Sequence, residues 1–182
     1  MGDNLSMTID KYPKIQIQLH WLMFLLVALA ALSIEVREIF PKGTYLRSEL
    51  KNVHIWLGEA IFAFLIVRLI VRLLSQQPSP INTLPWQVNL AKFVHWLFYL
   101  MMFVIPLSGI LLLQAGGKDV SFFGYSLPEI VAPDRELKRA VKSVHEFLSN
   151  AFYFFIFFHV AAALWHQYVI KDNLLSRVKL FR

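Results

Sequence analysis

Apolar residues in this chain fall into four long runs instead of alternating with polar ones. The first runs roughly from Ile15 to Ile34, the second from Val53 to Leu74, the third from about Leu90 to Leu113, and the fourth from about Val144 to Ile170. A helix crossing the hydrocarbon core of a bilayer needs about 20 mostly apolar residues. Each run reaches that length, so the pattern predicts an all-α integral membrane four-helix bundle, one domain over 1–182. The connections carry helix breakers: Pro41 and Gly43 in the first, Pro78 and Pro80 in the second. The third, from Ala115 to about Lys142, is the longest and contains Gly116-Gly117, Pro128 and Pro133. Asp134 would cap a helix over its last part, whereas Ser143-Val-His-Glu146 has the capping-box pattern. The fourth helix therefore has two possible starts.

Composition strengthens the membrane reading. Hydrophobic residues make up 57% of the chain and charged residues only 16%, where a soluble domain would carry about 25% charged. Lys11 and Lys14 precede the first run and Ala28-Leu-Ala30 resembles a signal-cleavage site, but the run is longer than the roughly 7–15 residues of a signal h-region. It is read as a retained span. The formal charge is +6, with the basic residues mostly at the ends of apolar runs, which points to membrane flanks and away from nucleic acid. Lys and Arg divide evenly between the two sides. Arg68, Arg72 and Lys92 around the short second connection favour cytoplasmic termini. With no cysteine, disulfides, iron–sulfur clusters, thiolate zinc sites and covalent haem attachment are excluded.

All six histidines lie within or at the edges of the four runs. Ionisable groups in a bilayer are costly and usually functional. His145 and His159 are 14 positions apart in one helix, which returns them to nearly the same face about 21 Å apart along the axis. One helix can thus present ligands to two stacked cofactors. His54 and His145 each follow an outer connection, and His20 and His159 lie nearer the inner side. The pairs expected are His54 with His145 and His20 with His159. Two bis-imidazole pairs stacked across a membrane suit two non-covalent b haems engaged in electron transfer. Zinc, the rival metal, wants a tighter tetrahedral cluster.

Other polar groups have two readings each. Arg68, 14 positions after His54, either meets the propionates of the inner haem or snorkels to headgroups, as does Arg72. Arg135, Lys138, Arg139 and Lys142 share one helix face, which would neutralise outer propionates, steer an anion to the haem edge, or remain a solvated helix. His95 and His166, with Lys171 and Asp172 nearby, are candidate proton donors to a quinone or further haem ligands. Pro106-Leu-Ser-Gly109 is read as a kink that permits close packing. Glu59 is assigned no role.

Gln18-Leu-His-Trp21, Val67-Arg-Leu-Ile-Val-Arg72, Ser143-Val-His-Glu146, and His159-Val-Ala-Ala-Ala163 through His166 to Lys171-Asp-Asn173 together resemble the bacterial cytochrome b561 family of four-helix di-haem proteins. The likeness covers nearly the whole chain. It implies a bacterial inner-membrane location with cytoplasmic termini, axial ligands at His20, His54, His145 and His159, and electron exchange with ubiquinone. Superoxide is an implied periplasmic donor. The larger grouping also contains cytochrome b subunits of hydrogenases and formate dehydrogenases, so a non-catalytic membrane anchor for a partner dehydrogenase is the second reading. A metal-ion carrier using the membrane histidines is a third.

Overall fold

The computed structural model describes residues 11–81, 84–122 and 124–180. It is an all-α membrane bundle of four long helices: α1 (Lys14–Ile39), α2 (Tyr45–Leu74), α3 (Pro85–Gln114) and α4 (Arg135–Trp165). A π-helical turn, His166–Ile170, prolongs α4, and a 3-10 helix covers Leu174–Val178. A two-stranded hairpin, β1 (Ser121–Phe122) and β2 (Tyr125–Ser126), sits in the long third connection. Among the described residues α1, α3 and α4 are long and apolar enough to cross a membrane. The expected second span, α2, is as long as α3 but interrupts its apolar run with His54, Glu59, Arg68 and Arg72.

Prolines and glycines set the helix ends. Phe40 and Leu84 each precede a proline and are extended, with ψ of 141° at both, as the proline ring demands of its neighbour. Pro85 then opens α3 at a position where its missing N–H costs nothing. At the other end of α3, Gly117 takes φ +71°, and Lys118 N–H donates to Leu113 O at 3.1 Å while Gly117 N–H donates to Gln114 O at 2.8 Å. That is the paired-bond helix stop that favours glycine. Asp134 caps α4, accepting from the N–H groups of Glu136 and Leu137 at 2.7 and 2.8 Å. Of the two possible starts, the earlier is therefore used. Ser143 lies inside the helix and donates to Arg139 O instead of capping.

The helices α1 and α2 pack closely, as do α3 and α4, with α2 also against α3. Met23, Ala30, Ile61, Leu65, Tyr99, Met101, Met102 and Phe152 form the buried cluster at mid-bundle. Phe152 is the one buried residue of α4 among those described, seven positions from both His145 and His159. The core thus separates the two histidine levels. The end bearing the 115–134 connection is termed outer here, following the orientation the basic flanks favour.

Candidate functional site

At the outer level, His54 on α2 faces His145 on α4 with ring centres 6.3 Å apart. Two imidazoles sharing one metal ion need about 6.3 Å, given metal–nitrogen bonds of about 2.0 Å and roughly 1.15 Å from each nitrogen to its ring centre. Each ring is also anchored through its other nitrogen. His54 Nδ1 lies 2.9 Å from Ala30 O on α1, and His145 Nδ1 lies 3.1 Å from Ile105 O on α3. A carbonyl only accepts, so both Nδ1 atoms carry the proton and each Nε2 keeps a free lone pair. Metal-binding histidines are commonly held this way.

At the inner level His20 on α1 faces His159 on α4, again with ring centres 6.3 Å apart. His95 on α3 stands 6.1 Å from the same His159 ring, so three imidazoles gather here. Arg68 reaches into this group, its Nη2 3.2 Å from His20 Nδ1 and its Nε 3.3 Å from the Tyr99 hydroxyl. Arg72 lies over the Tyr99 ring at 5.8 Å. Arg68 belongs to the inner cluster, as its spacing from His54 predicts, and its nearest partners are His20 and Tyr99. Between the two levels Phe98 stacks edge-on with Phe152 at 5.5 Å and with His159 at 5.1 Å. The outer donor set, two imidazoles tied at Nδ1 with Nε2 free, fits a b haem, while at the inner level Arg68 can only donate, so His20 Nδ1 accepts from it and it is the ring spacing that matches a haem. Among the described residues no group of three or more His, Asp or Glu is arranged to hold a metal ion.

His166 stands apart from that trio. Its Nδ1 is 2.5 Å from Asp172 Oδ2, and both side chains are mostly buried. The dyad is held by unusual backbone: the π turn, then Lys171 and Asn173 at φ of 61° and 58°. Lys171 is exposed and makes this turn rather than joining the dyad. The tail folds back over the inner end, with the Trp21 indole donating to Val178 O at 2.8 Å and Arg177 to Ser79 O at 2.6 Å. Gln16 Nε2 and Gln167 Oε1, beside this region in sequence, are buried with no partner among the described residues.

The basic face expected before His145 is only partly free. Lys142 pairs with Glu146 at 2.7 Å, and Arg139 Nε turns back to Arg135 O at 3.3 Å, both residues being exposed. Lys138 leans onto the end of α3, its Nζ 3.2 Å from where a Cβ on Gly116 would stand. There it joins cations that sequence spacing did not single out. Burial, with Lys118, Arg37 and Lys138 around it, pushes the Lys51 ammonium below its ordinary range. Arg37 pairs with Glu38 through Nη1, although its Nε is buried with no partner among the described residues, while Lys51, Lys118 and Lys138 have no ion pair among those residues. The cluster draws on α2, the third connection and α4, so only the folded chain assembles it. The segment Pro106 to Gly109, read from the sequence as a kink that permits close packing, is half-buried apart from the buried Ser108, and it also meets the His145 ring.

Comparison with known proteins places these features in a family. The family profile described as prokaryotic cytochrome b561 matches residues 11–179. Cytochrome b561 homolog 1 of Escherichia coli (strain K12) is 35% identical over 170 residues, 93% of this chain and 97% of that protein. Probable superoxide oxidase CybB of Yersinia pestis is 36% identical over 169 residues, 92% of this chain and 95% of that protein. Cytochrome b561 homolog 2 of Escherichia coli (strain K12) is 27% identical over 175 residues, 94% of this chain and 92% of that protein.

Proposed function

Because the chain belongs to the prokaryotic cytochrome b561 family, and is with it a haem b electron-transfer protein of the bacterial membrane, we propose that it is a di-haem superoxide:ubiquinone oxidoreductase. The observation that carries this is the pair of imidazole pairs, each 6.3 Å apart and on opposite sides of the mid-bundle core. When bound, each haem would supply a one-electron centre suited to electron transfer. His54 and His145 hold the outer one, His20 and His159 the inner one. Arg68 and Arg72 provide cations for the inner propionates.

The outer end meets the donor. A small anion is drawn by Lys51, Lys118 and Lys138, with Arg135 and Arg139 extending the positive field towards solvent. The name of the Yersinia pestis relative supports superoxide as that anion. Two superoxide anions leave as two dioxygen molecules, and one quinone takes their two electrons and two protons to become quinol. The protons fall to the inner end. The His166–Asp172 dyad holds a transferable proton at the imidazole, and His95 is the second titratable group there. The buried, unpartnered amide atoms of Gln16 and Gln167 offer hydrogen bonds to a quinone head group. In this reading the inner end and both termini are cytoplasmic and the membrane is the inner one.

The test is purified protein in liposomes, given an enzymatic superoxide source and a short-chain ubiquinone, with haem content measured by pyridine haemochrome. The reading expects two b haems per chain and one quinol per two superoxide consumed. Full haem loading without quinone reduction would overturn it in favour of a membrane anchor for a separate dehydrogenase.

A further inference from the structure

The α3 segment Pro106-Leu-Ser-Gly109 contributes no residue to either imidazole pair, yet its Ser108 lies closer to His145 Nδ1 than the Ile105 carbonyl does. The Ser108 hydroxyl, on a buried residue, lies 2.9 Å from His145 Nδ1. The same hydroxyl donates to Ile105 O at 2.7 Å, which commits its proton and leaves its lone pairs as acceptors. Ile105 O is itself 3.1 Å from His145 Nδ1. The ring N–H is therefore shared between two acceptors of one helical turn. Gly109 completes the seat, since a Cβ there would stand 3.5 Å from His145 Cε1 and 3.9 Å from Nδ1. That is ordinary contact for a methyl group, but any longer or branched side chain would enter the space of the ring.

We infer that Ser108 is the residue that positions the outer axial histidine and tunes the electron affinity of the centre it holds. The inference rests on the di-haem reading above. An acceptor on Nδ1–H fixes the tautomer, aims Nε2 at the metal and makes the imidazole a stronger electron donor. A stronger donor stabilises the oxidised centre and lowers its midpoint potential. Two acceptors do this more than one. The partner ring has a single carbonyl, Ala30 O, at 2.9 Å, so most of the adjustable part of this effect lies in a single side chain on α3.

The experiment is a potentiometric titration of the reduced α-band of the purified holoprotein, wild type against Ser108→Ala and Ser108→Thr, with haem counted in each. Ser108→Ala is expected to raise one of the two midpoints and leave the other in place. The shift is about a tenfold change in the oxidised-to-reduced ratio, or about 59 mV for a one-electron couple. Ser108→Thr, which keeps the hydroxyl, returns the midpoint to its wild-type position. Gly109→Leu is expected to retain one haem, and Gly109→Ala both. Two haems with unmoved midpoints in Ser108→Ala would overturn the inference, as would equal shifts of both. A wild-type protein with fewer than two haems would instead overturn the di-haem reading, which keeps the two failures distinct.

Discussion

Replacing His145 by Ala should remove one haem per chain and leave the second spectroscopically intact. The two levels lie 14 positions apart on α4, about 21 Å along its axis, with Phe152 and the mid-bundle cluster between them. Perturbations beyond about 10 Å with no shared partner combine additively, and the anchors differ too: Ala30 and Ile105 at one level, Arg68 at the other. Haem per chain, from pyridine haemochrome against amino-acid analysis, should therefore fall by half in His145→Ala or His54→Ala. It should fall by the same half in His20→Ala or His159→Ala, and reach none in the His20→Ala/His145→Ala double variant. His95→Ala is the discriminating control, because His95 stands as near His159 as His20 does. It should keep both haems. Loss of a haem in His95→Ala with none in His20→Ala would assign the inner pair to His95 and His159. Loss of both in His145→Ala would refute the independence of the levels.

Asp172→Asn and His166→Gln should each slow quinone reduction by roughly 10²-fold, the usual loss for a positioned proton donor, while the rate of haem reduction by donor stays unchanged in stopped flow. Arg68→Gln should weaken retention of the inner haem by about tenfold, read as haem released to an apo-acceptor over time. Lys51 carries a depressed pKa, so the fold disfavours its charged form. Stability should rise with pH through the interval between that lowered value and the ordinary lysine range, because the unfolded chain binds more protons there. Lys51→Gln should flatten this slope and raise the thermal midpoint at neutral pH, while slowing haem reduction by superoxide at low salt. Equal donor rates in both proteins at low salt would remove Lys51 from the donor path.

The helices and the two histidine levels were legible in the sequence because both follow from periodicity. Apolar run length marks a span, and a 14-residue interval on a 3.6-residue helix marks one face. The start of α4 was not decided, since Asp134 and Ser143 both carry capping chemistry; the fold uses Asp134. The seat of His145 was hidden because Ile105, Ser108 and Gly109 meet it from another helix, and Ile105 takes part through a carbonyl that any residue type would supply. A Pro-x-Ser-Gly stretch reads as packing until its partner is known. Lys51 and Lys118 were missed for the same reason: each is unremarkable in its own segment, and only the stop at Gly117 brings Lys118 towards α2. Lys142 and Arg139, which a helical face included, are turned aside by local partners one turn away, Glu146 and the Arg135 carbonyl.

The two ends differ in a way that matches their proposed reactants. Outer rings are held at Nδ1 by main-chain carbonyls of neighbouring helices and, at His145, also by the Ser108 hydroxyl, all of them uncharged groups. A donor such as superoxide needs no more than this, since it brings one electron, requires no proton and is guided by charge alone. The inner end holds four imidazoles, two guanidinium groups and a carboxylate on side chains, under a tail built from a π turn and two left-handed residues. Side chains can exchange partners and protons where carbonyls cannot. A quinone needs that latitude, because it must enter, accept two electrons with two protons, and leave as a differently hydrogen-bonding quinol. The proposed direction of flow accords with this division: electrons would enter at the lysine-lined outer end and leave at the end where His95, His166 and Asp172 could pass protons to a quinone.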